Sequence, residues 1–392
     1  MVRAVGLAAL FLLGTAGATT AFAQQPAPVQ GPPTEPASLK ERLMKRLQEP
    51  DQGGGLHFTK HVAVVFGDVK EGSGVALGPA LSQKLANGAY TQIKAVYSIH
   101  RFRLLQARYD TRPFWQGRAI VVSRVRWQDA PRLALFRLGP DAPGLSVEYK
   151  ERKTEGSARI NVRLAPLLRV AGGFGIERYA TGAGRIDLAE DQQLPAVPPM
   201  PGLGTHPWFA HTFLSAALDS RKSPDYSRSG RLVEAAIHDY RDWHDGQGAF
   251  ERAEGTVAQL VPTYGARGVI DVSAQTWLSR STGSRSVPFF LMPTLGGASG
   301  LLAYKAYRFR DRNALLLKAE YRWAVHQMID VAGVYEAGKV APTARGLGLN
   351  HAASSVGGGI RVHSKTSGLV SLDVAHGRDG FGFAVGFTAG GS

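Results

Sequence analysis

Cysteine is absent from all 392 residues, so neither a disulfide framework nor a thiolate metal site is open to this chain. Charge is sparse: 20% of residues carry one, and 31 acidic side chains face 46 basic ones, for a formal charge of +15. Also missing are the dinucleotide fingerprint, the phosphate-cradling Gly-Lys-Ser/Thr loop and the Gly-x-Ser-x-Gly elbow, which removes the sequence basis for nucleotide chemistry and for a serine hydrolase. Helical periodicity almost vanishes after Gln48, apart from ambiguous windows such as residues 231–242. What is plentiful is glycine, 47 residues, well above the usual share of about 7%. With 44% apolar residues the chain is too hydrophobic to stay disordered.

One continuous apolar run exists, and it lies at the N-terminus. Arg3 precedes Val5 to Leu13, and Ala21, Phe22 and Ala23 close the segment. A basic start, a short apolar middle and small residues at the end predict a secretory signal over residues 1–23. The rival, an uncleaved anchor, is opposed by Gly14, Thr15, Gly17, Thr19 and Thr20, which make the second half too polar to span a bilayer. Export makes nucleic acid a poor explanation of the basic charge. Residues 24–55 then predict a periplasmic leader, with Pro26, Pro28, Pro32, Pro33 and Pro36 extended and unpacked. Ser38 and Glu41 have capping-box spacing, opening a short helix with Leu39, Leu43 and Leu47 on one face, either solvated or docked on a partner.

From residue 56 to 392 the chain reads in twos. Leu315, Leu317, Ala319, Tyr321 and Trp323 alternate with Lys318, Glu320 and Arg322; Ile329, Val331 and Tyr335 alternate with Asp330 and Glu336. Phe381, Phe383, Val385 and Phe387 form the apolar face of the last such segment. About sixteen period-two segments predict an all-β fold, a transmembrane antiparallel β-barrel with apolar faces toward lipid and charged faces toward a lumen. Tyr97 and Trp127, with Tyr321, Trp323 and Tyr335, fall on apolar faces, as expected of rings at a bilayer interface. Two long interruptions, residues 181–205 and 285–310, predict large loops; the first is rich in proline, which cannot donate to a sheet ladder. His238, Asp239, Asp242, His244 and Asp245 resemble a metal cluster in composition, yet alternation sends His238 and Asp239 to opposite faces and Gly246 and Gly248 mark a turn. No metal, cofactor or enzymatic activity is expected.

The run Pro293 to Gly297, the segment Tyr307-Arg308-Phe309-Arg310-Asp311-Arg312-Asn313 before a strand, Val334 to Lys339, and the aromatic last strand together resemble the bacterial surface antigen family, the barrels of the superfamily that includes BamA and TamA. The resemblance covers Pro293 to Phe387 most closely and extends more loosely back through Gly72 to Pro79. It implies a sixteen-stranded outer-membrane barrel whose sixth extracellular loop folds into the lumen, and a role in assembly or translocation served by a periplasmic partner. The alternative is a passive low-conductance channel or a structural surface barrel. Two departures stand out. The family's Arg-Gly-aromatic loop tip is replaced by Leu302, Ala303 and Tyr304, and the matching wall carboxylate is Glu336. Residues 24–55 are also too few for one of the family's client-receiving modules. Without the tip arginine, Arg308, Arg310 and Arg312 are expected to pin the loop on Glu320, Asp330 and Glu336, or else merely to solvate the loop or meet lipopolysaccharide phosphates.

Overall fold

A computed structural model describes residues 55–387 apart from 60, 68, 142–143, 145, 185–199, 224–225, 244–247, 266 and 364–367. The expected signal, the expected leader with its short helix, and His244 and Asp245 therefore lie outside the described residues, as does most of the proline-rich interruption.

Alternating side chains become strands wherever the pattern runs unbroken. They are β1 (Gly55–His57), β2 (Val62–Phe66), β3 (Ala76–Lys84), β4 (Tyr90–Ser98), β5 (Arg103–Asp110), β6 (Ala119–Leu135), β7 (Val147–Arg163), β8 (Leu168–Ala183), β9 (Trp208–Asp219), β10 (Gly230–Asp242), β11 (Phe250–Thr263) and β12 (Gly268–Ser281). After an insert containing β13 (Thr294–Leu295) and β14 (Phe309–Arg310) come β15 (Asn313–His326), β16 (Ile329–Ala341), β17 (Ala353–His363), β18 (Gly368–Gly377) and β19 (Gly380–Phe387). Each main strand pairs antiparallel with the next, from β2 to β12 and from β15 to β19, with β12 paired to β15 across the insert. This gives sixteen strands in a meander, and the short β1 adds a seventeenth to the same sheet by pairing with β2.

The sheet is apolar outside and charged inside, the inverse of a soluble protein. Leu105, Val125, Ile237, Val257, Tyr335 and Phe383 all stand at least half exposed on the outer face, while their sequence neighbours Gln106, Arg124, His238 and Glu336 point inward. Phe114, Trp115, Trp208, Trp243 and Tyr264 sit at or beside strand ends on the exposed side, the positions of an aromatic girdle. Tyr97, Tyr321 and Tyr335 are exposed on the outer face, and Phe381 and Val385 join Phe383 there.

Connections alternate in length. One end carries residues 67–75, 136–146, 184–207 and 282–312; the other carries mostly tight turns, with 220–229 longer than its neighbours. The long-loop end is filled with packed side chains. Phe102, Leu133, Leu135, Tyr149 and Phe289 form one cluster, and Tyr179, Phe209, Tyr240, Phe250, Val287 and Leu291 form another. In both, insert residues pack against inward-facing wall residues.

Candidate functional site: the lumen insert

The insert, residues 282–312, enters by Val287 and Phe289, both buried without measurable exposure. The Phe289 amide donates to the Pro201 carbonyl at 2.9 Å, and Phe290 stacks on Tyr179 with ring centres 4.8 Å apart. Arg252 on β11 donates to the Leu291 carbonyl. The β13–β14 pair then forms a narrow hairpin within the insert, joined at Thr294–Arg310 and Leu295–Phe309.

Its tip is held by apolar packing and backbone hydrogen bonds. Leu301, Ala303, Tyr304 and Phe309 pack with Leu295 against Leu316 of β15 and Val340 of β16. Burial of each large side chain here contributes on the order of 2 kcal/mol. The Leu302 amide donates to Glu336 Oε2 at 2.9 Å, and the Ala303 amide to Ser355 Oγ at 3.2 Å. Two glycines make the approach possible. A Cβ on Gly382 of β19 would lie 1.8 Å from the Leu302 carbonyl oxygen, and Gly300 combines φ +134 with a Leu316 methyl 2.4 Å from where its Cβ would be.

The sequence-predicted residues are placed as follows. Tyr304 is buried with its ring edge-on to Phe309 at 5.1 Å. Arg308 is buried, sandwiched near Phe136 and Phe309, and its Nε donates to Asp379 Oδ2 at 2.6 Å. Arg310 sits over the rings of Phe289, Tyr307 and Tyr149, at 5.2, 5.6 and 5.9 Å, while its carbonyl accepts from the Gly139 amide at 2.9 Å. Asp311 accepts from the Arg312 amide at 2.7 Å, and burial pushes its carboxyl above the ordinary range. Asn313, first in β15, accepts from the Ser279 amide and donates to the Ala341 carbonyl, tying β12 to β16.

The expected arginine–carboxylate pinning takes a different form, because the three wall carboxylates already have partners. Glu320 meets Arg361 at 3.0 Å, and Arg361 continues to Asp373 at 2.7 Å. Asp330, fully buried, accepts from Tyr226 and from Arg228 at 2.8 Å, with His363 3.3 Å away. Glu336 serves a backbone amide of the tip. Asp379, in the last hairpin, is the carboxylate that an insert arginine reaches.

Sequence reasoning missed Glu71. It lies between β2 and β3, accepts from the Ala298 amide and from Ser299 Oγ at 2.7 Å, and offers its carbonyl to Tyr307 at 3.0 Å. Burial raises its carboxyl pKa, outweighing those hydrogen bonds. Beside it, burial lowers the Lys70 ammonium against the opposing pull of Glu151, its ion-pair partner. The insert thus touches the loop after β2 through Glu71, and the last hairpin and β19 through Asp379 and Gly382. It bridges the two ends of the sixteen-strand run.

The lumen also holds a histidine pair that spacing did not suggest. His211 Nδ1 is 3.2 Å from Glu177 Oε1, and its Nε2 is 3.0 Å from His238 Nδ1. His238 points inward with Tyr240, whereas Asp239 pairs with exposed Arg241 at 2.8 Å, so the two members of the suspected metal cluster part as alternation requires.

No protein-family profile and no curated protein matches this sequence. Solved structures do. BamA from Haemophilus ducreyi lacking POTRA domains 1-3 superposes with a TM-score of 0.60 over 88% of this chain and 76% of that one, at 12% identity. The fold is that of the BamA barrel. CdiB from Acinetobacter baumannii superposes with a TM-score of 0.52 at 10% identity, covering 85% of this chain and 57% of that one. Identity this low establishes common architecture alone, so the insert's contacts in this chain are read from its own residues.

Proposed function

We propose that the chain is an integral outer-membrane barrel of the BamA and TamA kind that assists assembly or translocation of other envelope proteins, working with a separate periplasmic partner. The observation that carries this reading is the insert itself, a long loop folded into the lumen and docked on both ends of the strand run, within a barrel similar to BamA. The apolar outer face, the aromatic girdle and the N-terminal signal expected from the sequence support residence in the outer membrane, among lipid and lipopolysaccharide.

A second reading, a passive structural barrel of low conductance, is favoured by one feature. The tip is fixed by Leu301, Tyr304 and a backbone amide on Glu336 rather than by a charge-assisted arginine pair. Depletion of the protein followed by quantitative proteomics of the outer membrane separates the two. An assembly role predicts a selective fall of at least twofold in some other outer-membrane or surface proteins; an unchanged profile would leave the passive barrel.

A further inference from the structure

Below the insert, toward the short-turn end, the inner wall of β4 to β7 gathers positive charge. Register and alternation put Lys94, Arg108, Arg124, Arg126 and Arg159 on one inward face. Arg108 stands directly opposite Arg124 across the β5–β6 pair, and Lys94 and Arg126 flank Gln106 in the adjoining row. Directly opposed residues on one face of a sheet are about 5 Å apart at Cβ, so like charges there repel. Three carboxylates share this face: Glu151 is paired with Lys70, Asp110 with Arg108 of the patch itself, and Glu155, opposite Arg126 in the β6–β7 register, with Lys153. The Asp110 contact is two-point, at 2.7 and 2.9 Å, and Lys153 lies 2.9 Å from Glu155. Among the described residues no ion pair joins Arg124 or Arg159 to a carboxylate, and the buried Nε of Arg124 has no hydrogen-bond partner.

Such a patch is costly for folding, since it confines repelling charges in a space partly screened from bulk water. It is also well formed for a ligand. Guanidinium forks present paired N–H donors that match the oxygens of a tetrahedral oxyanion, and several forks converging from neighbouring strands suit a multiply charged one. The packed long-loop end leaves the short-turn end as the route of entry.

We propose that the β4–β7 wall is a binding site for a multiply charged oxyanion of the phosphate class, either free phosphate or a phosphate-bearing lipid headgroup, with Arg124 and Arg159 as principal ligands and Lys94 and Arg126 beside them. This assignment stands apart from the assembly reading, because it rests on the wall and not on the insert.

The test uses the full mature chain in phosphatidylcholine nanodiscs, with inorganic phosphate titrated against chloride at equal ionic strength. Thermal unfolding and calorimetry are the readouts. The site predicts saturable binding that weakens at least tenfold in Arg124→Gln and in Arg159→Gln, and stays within twofold in Arg103→Gln, which neutralises an exposed arginine outside the patch. Without phosphate, Arg124→Gln should unfold at the same temperature as wild type or higher, since repulsion is relieved. Nanodiscs containing phosphatidic acid, whose phosphomonoester headgroup can carry two charges, identify the source: if the headgroup occupies the site, added phosphate no longer shifts wild-type unfolding there, and if free anion is the ligand the shift persists. Absence of saturable phosphate binding in phosphatidylcholine, equal weakening by Arg103→Gln, or a lower unfolding temperature of Arg124→Gln without phosphate would each overturn the proposal.

Discussion

Single residues decide whether the insert tip can dock. Gly382 has no room for a methyl group, because the Leu302 carbonyl occupies that space. Gly382→Ala should therefore weaken docking by about 1–3 kcal/mol, the usual cost of overpacking, seen as new trypsin cleavage after Lys305. Glu336 accepts the Leu302 amide and stands opposite Lys318 in the β15–β16 register. Glu336→Gln keeps an acceptor and should change little, whereas Glu336→Lys leaves that amide unpaired and sets two cations side by side, so the same cleavage should appear. Charge and alternation made these wall carboxylates visible in the sequence as inward-facing. Their partners were not visible, because alternation fixes which face a side chain takes and says nothing of its neighbours around the circumference. Arg308 finds Asp379 seventy-one positions later, and Tyr226 finds Asp330 across 104.

Among elements, the strands were the most legible part, since a buried charged face and an exposed apolar face force period two along every one of them. The insert was legible as an interruption but not as a fold of its own, for its β13–β14 hairpin is only two residues deep and depends on wall contacts. Glu71 supplies one of those contacts and makes docking sensitive to pH. Its carboxyl pKa is raised in the docked state, so docking takes up a proton. The stabilisation is complete below the ordinary carboxyl pKa and is lost as pH rises through the raised value. Amide exchange of residues 296–304, corrected for intrinsic rates, should show stronger protection at pH 5 than at pH 8, and Glu71→Gln should abolish the difference. Equal protection at both values in wild type would remove Glu71 from the docking account.

For the whole molecule, many of the basic residues turn out to face the interior, while others such as Arg103 and Arg241 stand exposed. Some of the inward ones stack on aromatic rings in the insert, some form ion pairs such as Arg361 between Glu320 and Asp373, and some remain as the β4–β7 patch. Among the described residues, two side-chain clusters that the insert completes pack the long-loop end. A lumen plugged by the docked insert is the central proposal, and planar-bilayer conductance of the purified protein tests it most directly. The wild type should show at most brief, small openings, and deletion of residues 288–311 should produce large, steady ohmic ones. Large steady openings of the wild type would contradict a docked insert.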